Sequence, residues 1–383
     1  MRVSCSGPAR IAVDLLWLAP GDVGGSEEYA VRTLLAFARH GPDDLRPVVY
    51  LTRTAAEAHP ELGSSLDLEV CEVDGRRRAR RLLAESTWLA SRTRRLDAVH
   101  HLGGRIPART CAPVAVTVHD LQVLDYPEYF SMVKRLYLGR ALPRSILRAD
   151  LVVTVSDAVA RQIVERFAVP PERVVVVSSG VSTASGSSTP EGPPTILFPA
   201  VTHPHKRHVL LIEAFQLLAA RHPSARLLLT GGAGRAEADV RRAIDAGPYA
   251  DRVDRVGRIP ADALAKRLSA ATVVAFPSSY EGFGIPVLEA MAAGVPVLVA
   301  DGTPAADLTG PASVLPAVAG PDQWADRLER LLADDDHRQS LIAEGLAGAK
   351  PHTWEASAAA LERAWRLLLS ADPWTARQGL GVR

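Results

Sequence analysis

The chain has 383 residues, of which 47% are hydrophobic and 23% charged, with a formal net charge of +1. A balance this close to neutral offers no bulk attraction to nucleic acid, and the length exceeds what one hydrophobic core ordinarily supports, so two domains are expected. Cys5, Cys71 and Cys111 have no metal-ligand or disulfide-framework spacing, which fits a reducing cytoplasm. No apolar run approaches the roughly 18 to 20 residues of a membrane span, and the first residues lack a signal peptide's apolar core, so a cytoplasmic location is expected.

The first apolar run, residues 11–18 (IAVDLLWL), reads as a strand. It leads through Gly24 and Gly25 into a helix-period stretch carrying Tyr29, Leu34, Leu35 and Phe37. Ser26 reads as the helix N-cap with Glu28 in the first turn, and the glycine pair lets the backbone approach a ligand closely. Strand-like runs recur at residues 47–52, 66–73, 97–102, 113–120, 151–156 and 173–179, alternating with helical patterns. That alternation implies a parallel sheet covered by helices on both faces. Ligands of such sheets bind outside the carboxyl ends of the strands, and His100, His101, His119 and Asp120 sit at two of those ends. A histidine there also serves as an ordinary turn residue. Residues 76–95 (RRRARRLLAESTWLASRTRR) hold eight arginines and one glutamate, with Leu82, Leu83, Trp88 and Leu89 at roughly helical spacing. This basic amphipathic pattern suits peripheral contact with the inner face of an anionic membrane. It suits equally a surface helix whose apolar stripe packs on the sheet, and the second reading is slightly favoured. Ser156, between an apolar run and a helical pattern, reads as an N-cap.

Residues 182–194 (STASGSSTPEGPP) form a polar linker rich in Ser, Gly and Pro, separating domains of 1–181 and 195–352. The second half opens with a strand at 195–200, followed by the loop VTHPHKRH and an amphipathic helix. Lys206 stands at the start of that helix, where the dipole disfavours a cation unless it serves an anionic ligand; Arg207 is its neighbour. Gly231, Gly232 and Gly234 join the next strand to a helix but do not make a dinucleotide fingerprint, since no third glycine or downstream acidic residue stands at the required distance. Gly257 and Arg258 follow a short strand. Residues 275–300 (AFPSSYEGFGIPVLEAMAAGVPVLVA) then read as strand, loop, helix, strand. Pro286 suits a first helical position and Gly294 the left-handed residue past the helix end. Gly282 and Gly284 leave N–H groups uncovered at the helix's positive end, an anion site best suited to phosphate. Glu281 and Glu289 would repel that phosphate but can accept hydrogen bonds from hydroxyls flanking it. A phosphate between two sets of sugar hydroxyls is a sugar nucleotide. The aspartates at 334–336 read as a solvated cap.

Residues 281–297 resemble the EGFGxPxxEAxAxGxPV signature of the family 4 retaining glycosyltransferases, with bacterial mannosyl-, glucosyl- and rhamnosyltransferase-like members. The resemblance implies the glycosyltransferase B fold: α/β, with two Rossmann-like doubly wound domains, an interdomain cleft, and a C-terminal segment 353–383 crossing back to the first domain. It further implies that Gly24 and Gly25 line the cleft beneath the donor's phosphate, and that His119 lies against donor sugar and acceptor, with Asp120 and Ser156 facing the cleft nearby. Lys206 would contact the donor diphosphate with help from Arg207, and the amides of Gly282, Phe283 and Gly284 would join it. Gly232 would line the nucleotide side and Arg258 the base, while Glu281 would hold the sugar and Glu289 the ribose. Two departures stand out. Relatives have an arginine about six residues before the lysine, where this chain has Ala200, and a Pro-Glu pair where it reads Pro304-Ala305.

The activity so implied is transfer of a hexosyl group from a GDP-, UDP- or dTDP-sugar to a hydroxyl of a glycan, lipid-linked or small-molecule acceptor, with no cofactor, no metal and no nucleic-acid partner. No carboxylate is assigned as nucleophile, so same-face transfer with retention is expected. Three alternatives stay open: a non-catalytic sugar-nucleotide-binding partner, which would keep Glu289 and lose Lys206 or His119; an epimerase of the same fold; and a nicotinamide-dependent oxidoreductase. The last requires GxGxxG after the first strand, where this chain reads GDVGGS.

Overall fold

A computed structural model describes residues 7–21, 24–75, 77–110, 113–182 and 192–370. Cys5, Cys111, Arg76, most of the expected linker (183–191) and the end of the C-terminal segment (371–383) lie outside the described residues. The chain divides into two compact units, one of Met1–Gly180 with His352–Arg383 and one of Val181–Pro351.

In the first unit the strands are β1 (Ala9–Asp14), β2 (Leu45–Thr52), β3 (Asp67–Cys71), β4 (Ala98–His101), β5 (Val114–Val118), β6 (Leu151–Thr154) and β7 (Val174–Val176). They form a parallel sheet in the order β3-β2-β1-β4-β5-β6-β7. Val, Ile and Ala runs without alternation suit strands buried on both faces, and β4, β5 and β6 are buried throughout. The helix Gly25–His40 buries Tyr29, Leu34 and Phe37, and the closing helix Trp354–Ser370 packs on it, with the Phe37 and Trp365 rings 4.5 Å apart. The Trp365 indole N–H donates to His100 Nδ1 at 3.1 Å, leaving His100 Nε2 to bond Thr117 Oγ1 at 2.8 Å. His100 is thereby a buried link between the sheet and the returning helix.

The N-cap of Gly25–His40 is Gly24, not Ser26. A positive φ of 64° at Gly24 lets the helix begin two residues earlier and places Ser26 in its first turn. The basic segment is not one continuous helix: an α-helix at Arg78–Ala84 passes into a π-turn at Glu85–Leu89, then Ala90–Arg92 and a 3₁₀ turn at Thr93–Arg95. Ala84 and Leu89, with Trp88 beside them, pack into the core formed by Ala12, Leu16, Val48, Tyr50, Cys71 and Val99. Trp88 and Leu89 of the apolar stripe thus cover the sheet, and Leu83 is left 64% exposed.

The second unit repeats the plan with β8 (Thr195–Pro199), β9 (Arg226–Thr230), β10 (Val253–Gly257), β11 (Val273–Phe276), β12 (Val297–Ala300) and β13 (Val314–Leu315), parallel in the order β10-β9-β8-β11-β12-β13. Each sheet is a doubly wound Rossmann-like sheet whose strand order reverses beside its first strand: between β1 and β4, and between β8 and β11. The crevice at that reversal is where such sheets bind ligands. Among the described residues no helix is long and apolar enough to cross a membrane.

Candidate active site

In the second unit the loops after β8 and β11, which flank the reversal, meet. The Ser279 N–H donates to the His205 carbonyl at 2.8 Å, stitching one loop to the other. A 3₁₀ turn at Pro204–Lys206 is followed by Arg207 in a left-handed conformation (φ 56°), from which the helix His208–Arg221 starts. That backbone state is uncommon for a side chain other than glycine or asparagine. The Arg207 guanidinium is engaged in holding the turn, donating to the Ala317 carbonyl at 2.8 Å. The consequence is the position of Lys206. Its Nζ donates to both carboxylate oxygens of Glu281, at 2.6 and 2.8 Å, with side chains only 16% and 10% exposed. The same ammonium lies 5.3 Å from the centre of the Phe276 ring. Two of its three N–H donors are thus committed to Glu281, and one is left for another ligand.

Glu281 is followed by Gly282, the buried Phe283 and Gly284, which is the N-cap of the helix Ile285–Ala292 at φ 110°. A Cβ on Gly284 would come within 2.8 Å of the Ala305 Cβ, so glycine is demanded here by both backbone and space. No side chain caps this end, and Pro286 occupies the first turn. Gly294 takes the left-handed conformation past the helix. Glu289 lies in this helix, partly exposed.

The glycine turn after β9 is built tightly into the loop after β8. A Cβ on Gly231 (φ 112°) would strike the Ala200 carbonyl oxygen at 2.3 Å, and one on Gly234 the Thr202 oxygen at 2.6 Å. Gly232 contributes its carbonyl, accepting from the Thr202 N–H at 3.2 Å. Beneath lies a network that the sequence reading missed. Arg255 donates to the carbonyls of Gly231 (2.8 Å) and Gly232 (3.2 Å) and to Glu237 Oε2 (2.9 Å), and Glu237 also accepts from Thr202 Oγ1 at 2.8 Å. Burial alone would raise the Glu237 pKa, but hydrogen bonds from Arg255 and Thr202 hold it below the usual value. Arg258 is exposed just beyond β10. His205 is kept neutral, its pKa pushed down to about 3 by burial and then by Lys206, His203 and His208.

In the first unit, Gly24 and Gly25 open the helix after β1. The preceding loop is held by Glu27, whose carboxylate accepts the Gly21 N–H at 2.9 Å and bonds His59 Nε2 at 2.9 Å. Sequence reading assigned Glu27 no role, since an acidic first turn is an ordinary helix feature. His119 follows β5, its ring 5.3 Å from Tyr29 edge-on and 5.9 Å from Trp17. Its Nε2 bonds the Leu102 carbonyl at 2.8 Å. A carbonyl only accepts, so the proton sits on Nε2 and Nδ1 is left as an acceptor. Burial lowers its pKa to about 4 despite that bond. Asp120 Oδ1 caps the next turn by accepting the Gln122 N–H at 2.9 Å. Ser156 is the N-cap of Asp157–Phe167, accepting from the Val159 N–H at 3.3 Å. His101 Nδ1 pairs with Asp14 Oδ2 at 2.7 Å, both buried.

Two family models match the chain: "Glycosyltransferase Family 4" over residues 23–185 and "Glycosyl transferases group 1" over residues 184–347. The O-antigen chain mannosyltransferase B of Escherichia coli is 30% identical over 268 residues, covering 66% of this chain and 70% of that protein. A D-inositol 3-phosphate glycosyltransferase of Nocardia farcinica is 26% identical over 98% of this chain and 93% of its own. Among solved structures, the sucrose-phosphate synthase of Thermosynechococcus elongatus superposes with a TM-score of 0.75 at 20% identity, covering 95% of this chain and all of that one. Anabaena HepE in complex with UDP and glucose superposes at 0.73 and 17% identity, over 94% and 99%.

Proposed function

The chain belongs to the family 4 glycosyltransferases of the glycosyltransferase B fold, enzymes that transfer sugar from a nucleotide sugar, and from that premise we propose that it moves a hexosyl group, with retention, from a nucleoside-diphosphate hexose to a hydroxyl of a glycan, lipid-linked or small-molecule acceptor. The observation that carries this reading is the bidentate Lys206–Glu281 pair set beside the uncapped N-terminus of Ile285–Ala292. A cation and a helix end suit a diphosphate, and the carboxylate beside them suits the sugar's hydroxyls.

In the proposed reaction the bond from the sugar's anomeric carbon to the diphosphate breaks. Negative charge grows on the departing oxygen, where the remaining Lys206 donor and the helix end stabilise it; one such donor is worth about 2.7 to 4 kcal/mol of barrier. The acceptor oxygen bonds the same carbon from the same face, and its proton passes to the departing phosphate oxygen. Neutral His119, with Nδ1 as acceptor, would receive a hydrogen bond from a sugar or acceptor hydroxyl rather than donate a proton. Glu289 is proposed for the ribose, with Gly24, Gly25, Gly232 and Arg258 lining the donor. These groups would carry the charge without a metal or cofactor.

The test is a panel of GDP-, UDP- and dTDP-hexoses assayed for ligand-induced thermal shift and then for transfer, with the anomeric configuration of the product read by NMR. One donor at 100 times its dissociation constant should stabilise by about 2.7 kcal/mol, and an α-linked donor should give an α-linked product. An inverted product, or no stabilisation by any member, would sink the proposal.

A further inference from the structure

Thr202, in the loop after β8, has no part in the proposed reaction, yet it is fully buried with every polar group committed to the glycine turn after β9 and the helix that follows it. Its Oγ1 accepts the Gly234 N–H at 2.7 Å and donates to Glu237 Oε2 at 2.8 Å. Its N–H donates to the Gly232 carbonyl at 3.2 Å, and its carbonyl accepts the Ala236 N–H at 2.8 Å. A backbone N–H only donates and a carboxylate only accepts, so the hydroxyl proton points to Glu237. The same Glu237 oxygen takes Arg255, which also holds the Gly231 and Gly232 carbonyls. The packing leaves little slack, since a Cβ on Gly234 would meet the Thr202 carbonyl oxygen at 2.6 Å.

From Thr202 the backbone runs to Lys206 through a segment with few free torsions. Pro204 has its φ fixed by its ring. The Lys206 N–H donates to the His203 carbonyl at 3.0 Å, closing the turn, and the Ser279 N–H donates to the His205 carbonyl at 2.8 Å, tying that turn to the loop of Glu281. Arg207 then holds a φ of 56°. A shift of Thr202 is therefore passed on to the Lys206 ammonium rather than absorbed on the way. Valine would fill the same space, but it would leave the Gly234 N–H without its acceptor and take one donor from Glu237. Volume alone does not call for threonine here; the hydroxyl does.

We propose that Thr202 is a positioning residue for the transfer: its hydroxyl fastens the turn that carries Lys206 to the glycine turn, with Glu237 and Arg255 as the anchor, and so aims the ammonium. This rests on the reading of Lys206 as the diphosphate contact. It makes the loops after β8, β9 and β11 one preorganised support, in which the Lys206–Glu281 pair is held from beneath as well as by its own two hydrogen bonds. Aim matters at such a site, because misplacing a reacting or stabilising group by about 1 Å costs on the order of 10²-fold in rate. Thr202→Val removes the fastening and keeps the volume. Thr202→Ser keeps the hydroxyl.

The chain holds only four lysines, Lys134, Lys206, Lys266 and Lys350, so NMR of the full-length protein with lysine isotopically labelled at Cε reads Lys206 alone, its signal assigned by its absence in Lys206→Met. Spectra of the parent, Thr202→Val, Thr202→Ser and Glu237→Gln are compared. Each protein is also assayed for transfer, with and without Lys206→Met, using the hexose donor that the thermal-shift panel selects. The Lys206 signal should move in Thr202→Val and Glu237→Gln, keep its place in Thr202→Ser, and leave the other three lysines unchanged throughout. Transfer should fall about tenfold or more in Thr202→Val and stay within about twofold of the parent in Thr202→Ser. Added to Lys206→Met, Thr202→Val should lower transfer by less than about twofold, since the group that it aims is gone. If Thr202→Val loses the parental circular dichroism, Glu237→Gln carries the same comparison. An unmoved Lys206 signal in a folded variant overturns the proposal. So does an equal loss of transfer with and without Lys206, which is what a merely structural role predicts. Full transfer by Lys206→Met alone would refute the donor-site assignment, whereas the fastening of Lys206 by Thr202 would still be read from the spectra.

Discussion

Breaking the Lys206–Glu281 pair separates the two jobs assigned to it. With the side chains 16% and 10% exposed and the N–O distances 2.6 and 2.8 Å, Glu281→Leu strands a largely buried ammonium with two donors unmatched. Loss of one partner from a buried pair costs about 3 to 5 kcal/mol, and the third donor places this case near about 3 kcal/mol. Lys206→Met strands the carboxylate at a similar cost. Removing both charges leaves two apolar side chains of comparable volume, so the double variant should cost no more than either single, a coupling of about 3 kcal/mol. The two units need not unfold together, which makes a single global midpoint ambiguous. Hydrogen exchange on peptides from β8 and β11 reads the second unit alone. Transfer should behave differently, falling about 10²- to 10³-fold in Lys206→Met and in the double variant, where the charge needed at the leaving group is gone, and less in Glu281→Leu, which keeps it. Stability changes that add within about 0.5 kcal/mol, or transfer that survives in the double variant, would refute the reasoning.

Gly284→Ala should destabilise the second unit by about 1 to 3 kcal/mol through its φ of 110°, with a further cost from the 2.8 Å approach to Ala305. Adding Ala305→Gly should recover the contact part only, and recovery of parental stability would show that the backbone is unstrained. Acid should weaken both units. His100 and His119 in the first, and His205 and His208 in the second, have pKa values of about 3, 4, 3 and 4 against 6.5 in the unfolded chain, each chiefly through burial. Between those values the unfolded state binds the proton and the folded state does not, so stability rises with pH. It is complete above about 6.5 and falls by about 1.4 kcal/mol per pH unit per histidine as pH drops toward 4. Urea midpoints unchanged between pH 7 and pH 5 would contradict this.

Most strands were legible because a parallel sheet buried on both faces writes apolar runs rich in Val, Ile and Leu, as in β5, β6, β9, β11 and β12; β10 (VDRVG) carries a weaker signal, and β13, two residues long, has too short a one. The motif around Glu281 announced its glycines for the same local reason, a left-handed turn into a helix. What stayed hidden is non-local. Nothing near Arg255 says that its guanidinium will reach the carbonyls of Gly231 and Gly232, and nothing near Glu27 says that it will hold Gly21. The N-cap at Ser26 was misplaced because propensity favours serine, whereas the positive φ at Gly24 lets the helix begin two residues sooner. The basic run was read as one helix, but Trp88 and Leu89 reach the core only through a π-turn that helical periodicity does not encode.

The missing arginine near residue 200 takes on a sharper meaning from these contacts. Ala200 is 7% exposed, and its carbonyl lies where a Cβ on Gly231 would be, so the residue that replaces the arginine is packed directly against the glycine turn. Arg255, which bonds that turn directly, is 6% exposed and committed to two carbonyls and Glu237; leaving to meet a diphosphate would break all three contacts. Arg207 gives one of its donors to the Ala317 carbonyl. On the proposed reading the leaving group depends first on Lys206, which in this state gives two donors to Glu281. A bound diphosphate must compete for them, and a sugar hydroxyl that bonds Glu281 helps it to do so by giving the carboxylate another donor. Sugar and diphosphate would then bind cooperatively: a free nucleoside diphosphate should gain less from Lys206 than the intact sugar nucleotide does. The ratio of their dissociation constants should fall toward one in Glu281→Leu, and an unchanged ratio would show that the pair does not couple the two halves of the donor.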